Sequence, residues 1–179
     1  IEKEITEVLA TLQFNEPIFK VSCEAKELSP KGADQIVFQI RTNVGEALRP
    51  LHQIASGGEM SRIMLALKAM RARFTKMPTM IFDEIDTGVS GSVADKMGTM
   101  ICSMGSYMQV FAITHLPQVA AKGSAHYLVS KDMDPAESKA VSTIKRLSDD
   151  QRVLELARML SGSVLTDAAI ANAESLLRN

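Results

Sequence analysis

The spacing of apolar positions changes several times along the chain, and each change predicts an element. In IEKEITEVLATLQF, Ile1, Ile5, Val8, Leu9 and Leu12 fall on one helical face, so an amphipathic helix is expected first, with the look of a helix cut into partway. Two β-rich runs, PIFKVSCEA and QIVFQIRT, flank KELSPKGAD, where Pro30, Gly32 and Asp34 supply turn chemistry, and the pair predicts a hairpin. A loop with Gly45 and Pro50 follows. Beyond it, Met60, Ile63, Met64, Leu67 and Met70 make a helical stripe, Arg62, Lys68, Arg71 and Arg73 supply most of the polar side, and Pro78 marks the end.

The second half alternates between short apolar runs and helical patterns. TMIF and QVFAIT read as buried strands, GSVADKMGTMICSM as the helix between them, LPQVAAK as a short helix and AHYLVSK as a strand. DMDPAESKA is expected to be a polar loop before a strand at VSTIKRL. Two helices, DDQRVLELARML and TDAAIANAESLLR, are expected on either side of Ser161 and Gly162. Strands alternating with helices argue an α/β fold with a mainly parallel sheet flanked by helices.

With 46% hydrophobic residues and a formal net charge of -1 over 179 residues, the chain can bury a full core as one domain. Cys23 and Cys102 stand far apart with no CxxC partner, which supports neither a disulfide framework nor a thiolate metal site and fits a reducing cytoplasm. Apolar runs break well before the ~20 residues of a membrane span, and no signal-peptide pattern opens the chain. An anchored or exported protein is therefore not expected. Near-neutral charge gives no bulk pull toward nucleic acid, which normally shows as a basic surplus, so any role on DNA must rest on other grounds.

Three stretches could carry chemistry. In SGGE, Ser56 stands three residues before Glu59 as in a capping box, with Gly57 and Gly58 easing the entry turn. The same geometry lets a phosphate approach bare backbone at a helix N-terminus, where N–H groups and the helix dipole favour an anion. The four residues alone favour the capping reading. In TMIFDEID an apolar strand ends in Asp83, Glu84 and then Asp86, at the strand end where open α/β sheets bind ligands. Asp83 can hold Mg²⁺ directly or through water, and Glu84 can orient and deprotonate an attacking water. A solvated acidic loop is the plainer alternative, less attractive at so abruptly acidic a strand end. In VFAITHLPQVA, His115 follows the second apolar strand and could donate to a phosphate oxygen or hold a water, although alone such a histidine is more often a capping or packing group. His52 and His126 lack this placement, and His126 reads as structural.

Taken in order, a glycine pair opening a helix, a strand with paired acids and a strand with a histidine resemble the C-terminal half of an ABC-type ATPase head. There the pieces are called the signature motif, Walker B, the D-loop and the switch histidine. SGGEMSR followed by FDEID resembles the SMC-like branch rather than transporters, whose signature usually continues with Gln and whose Walker B is usually followed by Pro. Closer still, ASGGEMSRIMLALK, IFDEIDTGVSG, ITHLPQVAA and the terminal ELARMLSG look like the RecN family of bacterial DNA repair proteins, over nearly the whole chain. DTGVSG is the most discriminating part, and it departs from the ALD of common D-loops, so superfamily roles carry less securely onto residues 87–91.

The resemblance implies the C-terminal lobe of an ABC/SMC-type P-loop ATPase head. Residues 1–13 would be the end of a coiled-coil arm helix, 14–55 a β-hairpin region and loop, and 56–179 the α/β region with the motifs. It implies that two heads sandwich two ATP molecules, each on the phosphate loop of one head and covered by the signature of the other. Ser56, Gly57, Gly58 and Glu59 would then meet nucleotide in trans, Asp83 would serve Mg²⁺, Glu84 would activate water, His115 would sense the γ-phosphate, and Asp86 in the D-loop would couple the two sites. No GxxxxGK followed by Ser or Thr occurs in the chain, so it is expected to be inactive alone and to need the N-terminal Walker A lobe. Implied partners are that lobe, a second head, DNA at double-strand-break ends and recombination proteins such as RecA. The implied location is the cytoplasm, at the nucleoid, with no membrane partner. Long heptad segments are expected upstream of Ile1. A transporter nucleotide-binding subunit is disfavoured by Glu59 and DEID, a chromosome-organising SMC head by DTGVSG, and a non-catalytic interaction module by the retention of Asp83 with Glu84.

Overall fold

The computed structural model describes residues 1–134, 139–162 and 164–178. They fall into two units, Ile1–Ile113 and Thr114–Asn179. The first opens with α1 (Glu2–Thr11), whose Ile5 and Leu9 are buried together with Leu12 just beyond it. Each such side chain contributes about 1.5–3 kcal/mol on burial. The polar face of α1 is used as well. The Thr6 hydroxyl accepts from the Phe19 amide at 3.2 Å and the Glu2 carboxylate from the Val21 amide at 2.7 Å, which docks the helix on β1 (Ile18–Ser29).

β1 pairs antiparallel with β2 (Gly32–Arg41), with Phe19 and Phe38 ring centroids 5.7 Å apart. The hairpin is tighter than the turn residues suggest. Ladder pairing reaches Ser29 and Gly32, leaving Pro30 and Lys31 as the turn, and the extra length is accommodated by an irregularity between Ala25 and Ser29. A short β3 (Arg49–Pro50) in the expected loop adds to β2, and a 3-10 turn (Leu51–Gln53) leads onward.

α2 (Gly57–Thr75) ends at Lys76 in the left-handed region, φ 48°, two residues before Pro78. Its buried face differs from the predicted stripe. Ile63 and Met70 are inside, but so are Leu65, Ala66, Ala69 and Ala72, whereas Met64 is exposed. The cause is that small alanines allow close helix packing while adding little to an apolar pattern. β4 (Thr79–Asp83), α3 (Gly91–Met104) and β5 (Gln109–Ile113) follow, and β4 pairs parallel with β5 in register from Thr79 opposite Gln109 to Asp83 opposite Ile113. Met80 and Phe82 are buried, with the Lys68 ammonium 5.7 Å from the Phe82 ring. Ile81, Phe111 and Ile113 are exposed, so neither strand is buried on both faces as expected.

The second unit comprises α4 (Pro117–Ala120), β6 (Tyr127–Asp134), β7 (Lys139–Arg146), α5 (Asp149–Ser161) and α6 (Asp167–Arg178). Leu156 and Ala157 pack with Ala169, Ala173 and Ala121 as its core. β6 pairs antiparallel with β7, so among the described residues the parallel pairing is that of β4 with β5. The polar loop expected at 132–140 is mostly strand at its two ends, and 135–138 lie outside the described residues. α5 begins with a full capping box, Ser148 and Gln151 each accepting the other's amide. No described helix is long and apolar enough to cross a membrane.

His126 is structural here, as its sequence position suggests. Burial, then the nearby Arg152 guanidinium, hold its pKa below the ordinary value of 6.5 against opposing bonds to the Ala120 and Gly123 backbone. Folded His126 therefore stays neutral where the unfolded chain takes up a proton, so its contribution to stability is lost as pH falls below that ordinary value. A lower thermal midpoint is expected at about pH 5.5 than at about pH 7.5, with a smaller difference in His126→Gln. An unchanged difference in that variant would assign the acid sensitivity to other groups.

Candidate functional site

Ser56 caps α2. Its hydroxyl accepts from the Glu59 amide at 3.3 Å, which is the first half of the predicted capping box. The second half does not form: Glu59 instead acts electrostatically on Arg62, opposing the lowering of the Arg62 pKa by burial. The two glycines divide sharply. Gly57 is exposed, with nothing within 4 Å of where a Cβ would stand. Gly58 is buried, and a Cβ there would drive into the carbonyl oxygen of Gly88. Gly88 sits at φ +79°, and a Cβ on it would lie 3.0 Å from the Gly58 nitrogen. Gly57 thus leaves a bare face at the helix start, while Gly58 lets backbone pack on backbone.

The acidic loop is anchored at the carboxyl ends of the parallel strands. The Glu84 amide donates to Ile113 O at 3.1 Å, and Glu84 itself has φ 47°. A non-glycine residue held there costs on the order of 1–3 kcal/mol, a cost found most often at functional sites. Thr87 maintains it: its amide at 3.2 Å and its hydroxyl at 2.9 Å both donate to the Glu84 carbonyl. The Thr87 carbonyl in turn accepts from the Ser61 hydroxyl at 3.1 Å, so one residue ties the acidic turn to α2. Asp83 and Glu84 are exposed, whereas Asp86 is 1% exposed and its carbonyl accepts from Val89 N at 3.2 Å.

Ser56 to Glu59 and the 84–89 turn therefore form one connected block within the first unit. His115 belongs to the second unit, exposed, two residues beyond the end of β5, in a segment where Thr114 Oγ1 accepts from Leu116 N at 2.9 Å. Two residues were missed in the sequence. Thr87 offered no signal of its own, and Arg62 fell on the expected polar side. In the structure the Arg62 guanidinium is half-buried, stacked with its carbon 4.0 Å from the Phe14 ring centroid and bonded to three backbone carbonyls.

No protein-family profile matches the chain. Individual proteins do. The chain is 44% identical over 179 residues to the DNA repair protein RecN of Rickettsia conorii, covering 99% of this chain and 32% of that protein. RecN of Vibrio cholerae is 36% identical over 179 residues with the same coverages, and RecN of Xylella fastidiosa strain 9a5c is 46% identical over 149 residues, 83% of this chain and 26% of that protein. The chain is similar to one segment of RecN. It spans about a third of the length of these curated relatives.

Solved structures give the fold. An Smc head domain with coiled coil and joint from Pyrococcus yayanosii matches with a TM-score of 0.69 at 19% identity, over 89% of this chain and 29% of that one. A chain described under ATP-driven dimerisation and DNA-stimulated activation of SMC ATPases matches with a TM-score of 0.61 at 18% identity, over 91% and 92% of the two chains. The architecture is thus the C-terminal lobe of an SMC-type head. Asp83 offers one exposed carboxylate at a strand end, and among the described residues no group of three His, Cys, Asp or Glu side chains is poised around a metal. Asp83 could serve as one ligand of Mg²⁺, an ion that commonly takes one or two carboxylates and completes its shell with water and phosphate oxygens.

Proposed function

We propose that this segment supplies half of a composite ATP site in a DNA repair ATPase of the SMC-like family, and that the other half is a phosphate loop carried elsewhere. The observation that carries the reading is the bare start of α2 at Ser56 and Gly57, tied through Thr87 to the strained Glu84 turn. A helix start of this kind suits a phosphate, and a carboxylate on a rigid turn suits the orientation of water. Ser56 and Gly57 would meet the γ-phosphate of a nucleotide bound to another head, with Gly58 and Glu59 supporting them. Glu84 would take the proton of the attacking water, and His115 would hold a γ-phosphate oxygen. Asp83 would hold Mg²⁺ through water, where the ion screens phosphate charge. Asp86, being buried, would act by shaping the loop that couples the sites. Loss of the γ-phosphate would release the grip of α2 and let paired heads separate.

The relatives' description as DNA repair proteins supports a role in DNA repair. Within that role we place the segment at DNA double-strand breaks in recombination, beside proteins such as RecA, in the bacterial cytoplasm at the nucleoid. A chromosome-organising SMC head is the second reading, supported by the fold alone. Mixing decides the half-site claim. The segment alone is expected to show negligible ATP turnover, and adding the lobe that carries the phosphate loop to restore it. Turnover by the segment alone would overturn the reading.

A further inference from the structure

Arg62 lies one helical turn along from Gly58 and reaches backward. Its Nε donates to Gly58 O at 3.3 Å, and one terminal nitrogen donates to Leu12 O at 2.9 Å and Gln13 O at 3.3 Å. Leu12 is the C-cap of α1 and Gln13 the residue after it, at the helix end where terminal carbonyls lack intrahelical partners and carry the negative end of the dipole. Phe14, 7% exposed, supports the guanidinium plane from below. Gln13 is itself a junction, with φ 63° and a side-chain oxygen that accepts from Ser92 Oγ at 3.2 Å near the start of α3. A planar fork on an aromatic face can hold all these acceptors together, which a lysine ammonium cannot.

The first turn of α2 thus has two anchors, the acidic loop through Gly58 and Ser61, and the end of α1 through Arg62. We propose that Arg62 is a positioning residue that fixes the start of α2 to the end of α1, so that the direction of α1 sets how Ser56 and Gly57 are presented to phosphate. This rests on the phosphate reading of the preceding section. Coupling of this kind is reciprocal: phosphate gripped by α2 biases α1 as much as α1 biases the grip.

The test uses the full-length protein carrying Glu84→Gln, so that ATP persists while heads pair. Adding Arg62→Met is expected to weaken ATP-dependent head pairing about tenfold, with ATP affinity per folded head unchanged within about twofold. Arg62→Lys should fall between the two. A fluorophore at Glu7→Cys on α1, with the exposed Cys23 and Cys102 replaced by serine, should respond to ATP-driven pairing and lose that response in Arg62→Met. If Arg62→Met does not fold, Arg62→Lys carries the test. Pairing at the parent level in the folded variant, a retained α1 response, or pairing and ATP affinity falling together would each overturn the proposal. A parent that binds ATP yet never pairs would instead overturn the phosphate reading, and the proposal with it.

Discussion

A methyl group added at Gly58 is expected to lower the thermal midpoint and abolish ATP turnover in the complete protein, while one added at Gly57 should leave stability intact and lower turnover. The Gly58 contact is with the Gly88 backbone carbonyl, so no flexible side chain can move aside. Relief requires α2 and the 86–89 loop to separate, which breaks the Ser61 to Thr87 bond as well. Overpacking of this kind typically costs about 1–3 kcal/mol out of a total stability of about 5–15 kcal/mol. Gly57 faces open space at the first helical position, so a methyl group there meets no steric obstacle. Its methyl would nevertheless stand on the face offered to phosphate. Paired thermal melts and turnover assays separate the two effects. A Gly58→Ala protein as stable as its parent would contradict the backbone contact, and a fully active Gly57→Ala protein would contradict the phosphate role of the bare face.

That division was only partly legible in the sequence. Ser56 before Glu59 predicted the cap, and the cap forms. The sequence could not distinguish the glycines, because the neighbour of Gly58 comes from Gly88, thirty residues along, and depends on how the loop after β4 folds back. Glu84 was recognisable as a chemical group, but its left-handed backbone was not, since nothing about glutamate signals φ 47°. Arg62 was assigned to solvent by helical periodicity. A cation that bends back along its own helix to take carbonyls just past the end of another leaves no periodic trace.

The elements fared better than their burial. The helix at Gly91–Met104 and the parallel strands around it are where the pattern placed them. Apolar runs such as TMIF and QVFAIT predicted strands buried on both faces, yet Ile81 and Ile113 are 62% and 55% exposed. An apolar run shows that a strand is hydrophobic, not which of its faces is covered. DMDPAESKA was polar enough to read as a loop. The β6–β7 ladder nevertheless continues through Asp132, Met133 and Asp134, because antiparallel pairing of the backbone does not require apolar side chains.

The central claim is that Glu84, on its strained turn, activates the water that attacks ATP held between heads. The measurement that tests it most directly is steady-state ATP turnover of the full-length protein with Glu84→Gln, read beside ATP-dependent head pairing. Glutamine keeps the size and the backbone bonds of Glu84 but cannot accept the proton, so general-base loss should lower turnover by about 10²–10⁴-fold. Pairing should persist, because the phosphate grip at Ser56 and Gly57 is untouched. Turnover surviving at the parent rate in Glu84→Gln would contradict the account.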